Sequence, residues 1–440
     1  MIHFDSSVPE SKIQAIKNEV KCIEIWVATN CKIRLWESTT NDPLKDLRLA
    51  KKKAPLGTGS GDLNHRIYAA NDDISYRSGA QCSYNTTLST GRYSARVAVI
   101  DGGYKSFGGS VVKQVNYTDE SSTYDYSNHG NAMNSLIRKA SSNSSRIKYD
   151  IRKVLDKYKR GYLSDFVKAV DDSLTDGAEI INASVEYNSA IDGADDLLYE
   201  LIYAIKNKRA LLVVAAGNGS KSVSKDKDVF PAAVVHPNVI TVASVDCNGR
   251  LASHSNYGTS AIDIAGPGIG LLSPTSSGNL FLTGTSGPTA LVSGIAAAMR
   301  THSSSFNPQN IVCRLKKGVD AYTSLKYKVR GVVNASKAFS SSCSSYYYSA
   351  YQKEEGNINS DTPLFPNPAH SSVFVKIKPE HNKLEIIDMT GKVQYSKILT
   401  IYAEQTYEIN EISNLVPGIY ILRVHSNATS DVESIRFVKQ

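Results

Sequence analysis

The chain has 440 residues, enough for a large core and two or three domains, and its 41% hydrophobic and 21% charged residues are ordinary for a globular protein. Its formal charge of +8 is modest and scattered; the densest basic group, Arg48 with Lys51, Lys52 and Lys53, has no interleaved aromatics, which argues against a nucleic-acid partner. No run of about 18 apolar residues occurs, so no transmembrane segment is expected, and the opening MIHFDSSVPESK lacks the basic-then-apolar order of a signal peptide.

Residues 1–45 predict a small α+β unit: a short strand, a helix in VPESKIQAIKNEV, then strands in CIEIWVA and KIRLWES. Residues 46–91 are polar and turn-rich, with GTGSG at 57–61, and read as a linker or wrapping segment. From about residue 92 to 338 the texture changes. ARVAVID (95–101), AEIINASV (178–185), ALLVVAAGN (210–218) and NVITVASV (238–245) read as strands buried on both faces. SDFVKAVDDSLTDG and DGADDLLYELIYAIKNK between them carry helical periods. Alternation of this kind predicts an α/β fold, a mostly parallel sheet with helices on both faces, whose chemistry lies at the carboxyl ends of the strands.

Residues 339–362 are Ser/Tyr-rich without apolar periodicity and read as a linker. Residues 363–440 alternate with period two in VFVKIK, KLEIIDM, YILRVHS and SIRFVKQ, with turns at TGK (390–392) and PG (417–418), so a small all-β sandwich is expected. The six cysteines, at 22, 31, 82, 247, 313 and 343, lack the paired short spacings of a zinc site. Spacing alone does not choose between buried thiols and up to three disulfides.

Four residues stand where chemistry would be built. Asp101 ends a buried strand at its carboxyl end, and His129 lies in SNHGNAMNSLI at the start of a helical period. Asn218 closes LLVVAAGN, and Ser286 sits in GTSGP before an apolar, alanine-rich helix. Each alone is commonplace, since strand ends carry turns and helix starts carry caps. Together they supply a nucleophile, its base, a group to orient the base, and an amide for the oxyanion. The order Asp, His, Ser, with separations of 28 and 157 residues, is the order in which subtilisin carries its triad. A serine esterase of the α/β-hydrolase type would need a G-x-S-x-G elbow and the order Ser, Asp, His, and has neither here.

Over about 92–338 the chain resembles the subtilisin-like serine proteases, or subtilases. The resemblance runs through VAVIDGG, NHG, IINASV, VVAAGN, PAA (231–233), SHSNYG (253–258), IDIAGPG (262–268), GTS with VSG (292–294), and GVVNASKA (331–338). It implies a serine endopeptidase acting on polypeptides, with Asp101, His129 and Ser286 as triad and Asn218 in the oxyanion hole. It also implies that Ser184, Val185 and Glu186 form one wall of the P1 pocket and Ala215, Ala216 and Gly217 the other. Glu186 stands where glycine is usual, and a solvated rim position is expected for it.

Three departures are visible. Gly102 replaces the hydroxyl residue usual after the aspartate, Asn131 replaces the usual threonine after His-Gly, and Gly287-Pro288-Thr289-Ala290-Leu291 replaces Met-Ala-Ala-Pro-His. None removes a reacting group, but together they keep a second reading open, a weak or inactive subtilase-like surface protein that binds peptides. No cofactor is required for the chemistry. Subtilases often bind structural calcium, but no acidic loop here shows a ligand pattern, so no metal site is assigned.

PLFPNPA (363–369), LEIIDMTGKV (384–393) and NLVPGIYILRV (414–424) resemble the C-terminal sorting domain of type IX secretion substrates. That resemblance implies the type IX secretion machinery as a partner and a secreted or cell-surface location, although no signal peptide is visible. Residues 1–45 are then expected to be the remnant of an inhibitory propeptide.

Overall fold

The structure is a computed structural model. It describes all residues except 5–7, 41–42, 54–58, 62–63, 70–72, 76–82, 106–109, 188–193, 225–228, 276–277, 304–306, 327, 344–363, 366–372, 378–380, 389–391, 400–404, 417, 427–431 and 440. The chain divides into one unit of Met1–Ala54 with Thr58–Cys343 and another that holds Ser344–Gln440.

The first unit opens with β1 (Ile2–Phe4), α1 (Glu10–Glu19), β2 (Cys22–Val27), β3 (Ile33–Ser38), α2 (Pro43–Lys53) and β4 (Gly59–Gly61). The strands form an antiparallel sheet in the order β2–β3–β1–β4. The boundary expected after residue 45 falls inside α2. Leu49 and Ala50 of that lysine-rich helix pack on a small core with Ile2, Phe4, Ile13 and Ile16. The sheet also shares the main core, where Met1, Ala28 and Ile33 join Phe166, Val170, Leu201 and Ile205. The buried Asp171 carboxylate accepts the N–H groups of Thr29 and Asn30, each at 2.7 Å.

Two short strands follow, β5 (Arg66–Ala69) and β6 (Asp73–Ser75), within the stretch expected to link or wrap. Then come β7 (Ala95–Asp101), β8 (Val111–Asn116), α3 (His129–Ala140), β9 (Ile147–Lys153), β10 (Arg160–Tyr162), α4 (Leu163–Thr175), β11 (Ile180–Ala183), β12 (Val185–Glu186), α5 (Ala194–Asn207) and β13 (Leu211–Ala215). The unit closes with β14 (Val239–Val245), β15 (Ile264–Pro267), β16 (Leu271–Thr275), β17 (Gly278–Thr283), α6 (Ser286–His302), α7 (Pro308–Lys317), β18 (Val319–Asp320), β19 (Val332–Val333) and α8 (Ala335–Ser340).

Nine of these strands make one sheet, β18–β19–β15–β14–β13–β11–β7–β9–β8, parallel throughout except at β18. Its central strands β7, β11, β13 and β14 are mostly apolar runs because both faces are covered. Ala98, Ile100, Ile181, Ala183, Leu212 and Val214 share a core with residues of α4 and α5. On the opposite face Asn182 accepts a hydrogen bond from Ser293 of α6. The fold is thus α/β with helices on both faces. The chain runs from β7 outward to β9 and then returns to β11 on the other side of β7, which puts a topological switch point at the carboxyl end of β7.

Cys313 in α7 forms a disulfide with Cys343, Cys247 is also disulfide-bonded, and Cys22 and Cys31 are free thiols. Burial pushes the Cys31 thiol up to about 12, which keeps it protonated and inert.

The second unit contains β20 (Leu364–Phe365), β21 (Val373–Ile377), β22 (His381–Asp388), β23 (Val393–Ile398), β24 (Gln405–Ile409), β25 (Gly418–Ser426) and β26 (Val432–Lys439). They pair as two antiparallel sheets, β20–β21–β24 and β23–β22–β25–β26. Alternate residues Val373, Val375 and Ile377 of the first meet Leu384, Ile386, Leu422, Val424 and Phe437 of the second in one core. This is the all-β sandwich that the period-two pattern predicts. Most of the segment read as a linker, residues 344–362, lies outside the described residues.

Candidate active site

Parallel strands deliver their carboxyl ends to one edge of the sheet, and three of those ends carry the residues singled out in the sequence. Asp101 is the last residue of β7, Ser184 lies between β11 and β12, and Gly217-Asn218 follows β13. His129 and Ser286 arrive differently, each as the first residue of a helix, α3 and α6. Ser286 is therefore not a cap, because Thr285 holds the N-cap position. All residues of α6 from Ser286 to Met299 are buried, as a helix apolar on every side demands.

Asp101 and His129 are joined. The His129 Nδ1 stands 2.8 Å and 3.0 Å from the two Asp101 carboxylate oxygens, with the imidazole fully buried and Asp101 1% exposed. The Gly102 N–H also donates to Asp101 Oδ1 at 2.6 Å. A carboxylate so bound selects the His129 tautomer that carries its proton on Nδ1 and leaves Nε2 as a base. Gly130 permits this closeness, since a Cβ there would lie 2.3 Å from the Gly103 carbonyl.

Ser286 Oγ is buried and makes no hydrogen bond among the described residues. A buried polar atom without a partner is unusual, and catalytic hydrogen bonds are often long until substrate binds. The Asn218 amide oxygen accepts the Thr285 N–H at 3.0 Å, which fixes the half-buried Asn218 side chain beside the start of α6. The Gly217 N–H donates to Thr285 Oγ1 at 3.2 Å. Asn218 thus spends its oxygen on the turn before Ser286.

A buried relay ties the helices to the strand end. Ser293 donates to Asn182 at 2.9 Å, Asn182 donates to Ser184 at 3.2 Å, and Ser184 donates to the Met133 sulfur of α3 at 3.4 Å. α3 and α6 pack closely, since a Cβ on Gly294 would lie 2.4 Å from the Ile137 carbonyl and 2.7 Å from Ala140 Cβ. Pro288 sits in the first turn of α6, where a missing N–H costs nothing, and packs against Gly266.

The two expected pocket walls stand on adjacent strand ends, Ser184–Glu186 after β11 and Ala215–Gly217 at the end of β13, with Ala215 and Ala216 fully buried. Glu186 crosses between them. A Cβ on Gly217, whose φ is +93°, would fall 2.4 Å from Glu186 Oε2, so the carboxylate lies against the opposite wall rather than only at the rim. Asn256, in the SHSNYG segment, was matched in sequence without a role. It is buried, accepts the Gly219 and Lys221 N–H groups, and donates to the Ala216 carbonyl, bracing the loop that carries Asn218.

The edge of β12, where substrate was expected to pair, is taken by a strand of the chain itself. β5 lies between β10 and β12, antiparallel to both, with Tyr68 opposite Arg160 and Glu186, and Ala69 opposite Val185. Ile67 is fully buried in the main core. A few residues on, β6 pairs with β17, Asp73 opposite Thr283, three residues before Ser286. The chain therefore pairs with β12, after β11, and with β17, which ends three residues before Ser286. Neither pairing was legible in advance, because both are long-range contacts of short polar segments. Asp125 was also missed, and its only sequence signal is its place four residues before His129.

A parallel α/β sheet carries a buried Asp–His pair at its switch point and a serine at the head of its central helix. The chain belongs to the subtilase family, whose model matches residues 101–324. It is 31% identical over 241 residues to the thermophilic serine proteinase of Bacillus sp. (strain AK1), covering 51% of this chain and 57% of that protein. It is 31% identical to the thermostable alkaline protease of Halalkalibacterium halodurans, over 56% of this chain and 67% of that one. It is 29% identical to thermitase of Thermoactinomyces vulgaris, over 56% and 88% respectively. The match thus spans little more than half of the first of these relatives. Residues 363–439 match the model of the secretion system C-terminal sorting domain. Among the described residues, no group of three or more His, Cys, Asp or Glu is placed to hold a metal ion, and no helix is long and apolar enough to cross a membrane.

Proposed function

We propose that the chain is a serine endopeptidase of polypeptide substrates that works through an acyl-enzyme. Ser286 attacks the peptide carbonyl, His129 takes its proton and passes it to the leaving amine, and Asp101 holds and stabilises the imidazolium. The Asn218 amide and the Ser286 N–H at the start of α6 receive the oxyanion. Val185 and Glu186 pair with the substrate backbone as an added strand. The observation that carries this reading is the buried Asp101–His129 bond at the head of α3 together with a buried Ser286 hydroxyl, without a partner among the described residues, at the head of α6, which packs on α3. The chain's own β5 and β6 then lie where a peptide substrate would lie, and residues 1–75 act as an inhibitory segment still attached. The sorting unit directs export through the type IX machinery to the cell surface or the medium.

The decisive experiment is labelling by a fluorophosphonate probe, with Ser286→Ala as control. Label on the parent alone, and a loss of about 10⁴ or more in kcat in the variant, are expected. Equal labelling or equal activity of the two would refute the assignment.

A further inference from the structure

Two departures from the subtilase pattern flank the Asp101–His129 pair, Gly102 without a hydroxyl and Asn131 in place of threonine, and one side chain meets both. Asp125 is 4% exposed. Its Oδ1 accepts the Ser127 N–H at 3.0 Å and the Ser127 hydroxyl at 2.7 Å, and its Oδ2 accepts the Asn131 N–H at 2.7 Å. Ser127 Oγ in turn accepts the N–H of His129 itself at 3.2 Å. The formal N-cap of α3, Asn128, is in the left-handed region at φ 64° and makes no side-chain cap bond. Two of the orphan N–H groups of the first turn, those of His129 and Asn131, are therefore satisfied through Ser127 and by Asp125 directly. A negative carboxylate there also suits the positive end of the helix.

Gly102 fits this arrangement. A Cβ at that position would stand 3.0 Å from Asp125 Oδ1 and 3.1 Å from Ser127 Oγ, so these two side chains fill the space that a residue-102 side chain would take. The loop bearing Asp125 is itself clamped. Tyr104 donates its N–H to the Thr123 carbonyl at 3.1 Å, and Lys153 pairs with Glu120 at 2.7 Å, bonds the Tyr124 carbonyl and lies over the Tyr126 ring. The charged groups around Asp125 are Asp101 and His129 on one side and Lys153, acting through that loop, on the other. Burial, then the Asp101 charge, raise the Asp125 carboxyl against the pull of its hydrogen bonds and of His129.

We propose that Asp125 is a positioning residue for the Asp101–His129 pair, holding His129 in place through Ser127 and the first turn of α3 from the space that Gly102 leaves empty. On the footing that Ser286 is the nucleophile, Asp125 touches no reacting atom and acts only through His129.

Three variants test this, Asp125→Ala, Gly102→Ser, and the two combined. In Asp125→Ala kcat should fall about 10-fold to 100-fold with KM within about twofold, the cost of a base displaced by an ångström or less. The low-field proton signal of His129 Nδ1–H should broaden or vanish. Gly102→Ser should be harmful in the parent, where its Cβ is crowded, but helpful in the Asp125→Ala background, where a hydroxyl can enter the vacated space. That reversal of sign, with both the signal and kcat partly recovered, is a result that a purely structural role for Asp125 would not produce. An Asp125→Ala protein with parental kcat and an unchanged His129 signal would overturn the proposal. So would a Gly102→Ser effect of the same sign in both backgrounds. If Asp125→Ala does not fold, Asp125→Asn keeps an oxygen for Ser127 but turns an amide toward the Asn131 N–H. The same signal should then weaken, and its persistence would overturn the proposal. A parent that shows the His129 signal but neither labels nor hydrolyses would overturn the protease assignment, while the comparison of signals would still decide the role of Asp125.

Discussion

Tyr68 and Glu186 face each other across an antiparallel ladder, so a strand from the N-terminal part of the chain fills the edge expected to receive substrate. Asp73, four residues after Ala69 in sequence, pairs with Thr283, three residues before Ser286. The purified parent should therefore cut itself between Ala69 and Asp73, read by intact mass and N-terminal sequencing. Ser286→Ala should stay whole. A parent that remains uncut there while cleaving added peptide would show that the strand is not presented as a substrate.

For Asn218→Ala a fall of about 10²–10³ in kcat with little change in KM is expected, since a donor used mainly in the transition state contributes there and not to ground-state binding. The Asn218 oxygen also accepts the Thr285 N–H, so a small loss of stability should accompany it. A pure KM effect would assign Asn218 to substrate binding instead.

Glu186 lies against Gly217 across the pocket, and its removal should change selectivity more than rate. Glu186→Gly should raise kcat/KM for a peptide with Phe at P1, relative to one with Ala, by about tenfold or more, because both volume and a desolvated charge leave the slot. An unchanged ratio of the two substrates would place the carboxylate outside the pocket in solution.

The four buried strands and the two flanking helices of the sheet were legible because each is a local pattern. ARVAVID became Ala95–Asp101, NVITVASV became Val239–Val245, and the helix in SDFVKAVDDSLTDG became Leu163–Thr175. The run AEIINASV was read as one strand, yet it breaks at Ser184, and Val185–Glu186 join a different sheet. Apolar periodicity cannot show such a change of partner, and it cannot show β5 or β6 either, which are short and owe their conformation to distant strands. The roles of Asp125 and Asn256 were hidden for a related reason. Their value lies in which backbone N–H groups they meet after folding, and no spacing rule encodes that.

His236 sets an acid limit on stability. Burial, with the nearby charge of Lys206, lowers its pKa from 6.5 to about 3. The unfolded chain therefore binds a proton between pH 6.5 and 3 that the folded chain refuses. The stabilisation is whole above pH 6.5 and is lost by about 1.4 kcal/mol per unit as pH falls through that window. His236→Gln should flatten denaturant-derived stability between pH 7 and 5, and parallel losses in variant and parent would rule His236 out as the cause.

Deleting 363–440 removes a unit with its own core and none of the proposed site residues. The truncated enzyme should keep parental kcat and melting temperature but fail to reach the surface or medium in a host with the type IX machinery. Normal export would contradict the sorting role, and an unfolded truncation would make the sandwich part of the enzyme's fold.

His129 and Ser286 stand at the heads of two helices that touch at Gly294, where one hydrogen in place of a methyl lets α6 approach the Ile137 carbonyl. The spacing between the proposed base and nucleophile is therefore gauged more than two turns below them, as a shim sets the gap between two blades. A single added carbon at Gly294 would spread the blades without altering any residue that touches substrate. Variation in catalytic rate can thus be inherited through a buried position that a survey of the cleft alone would pass over.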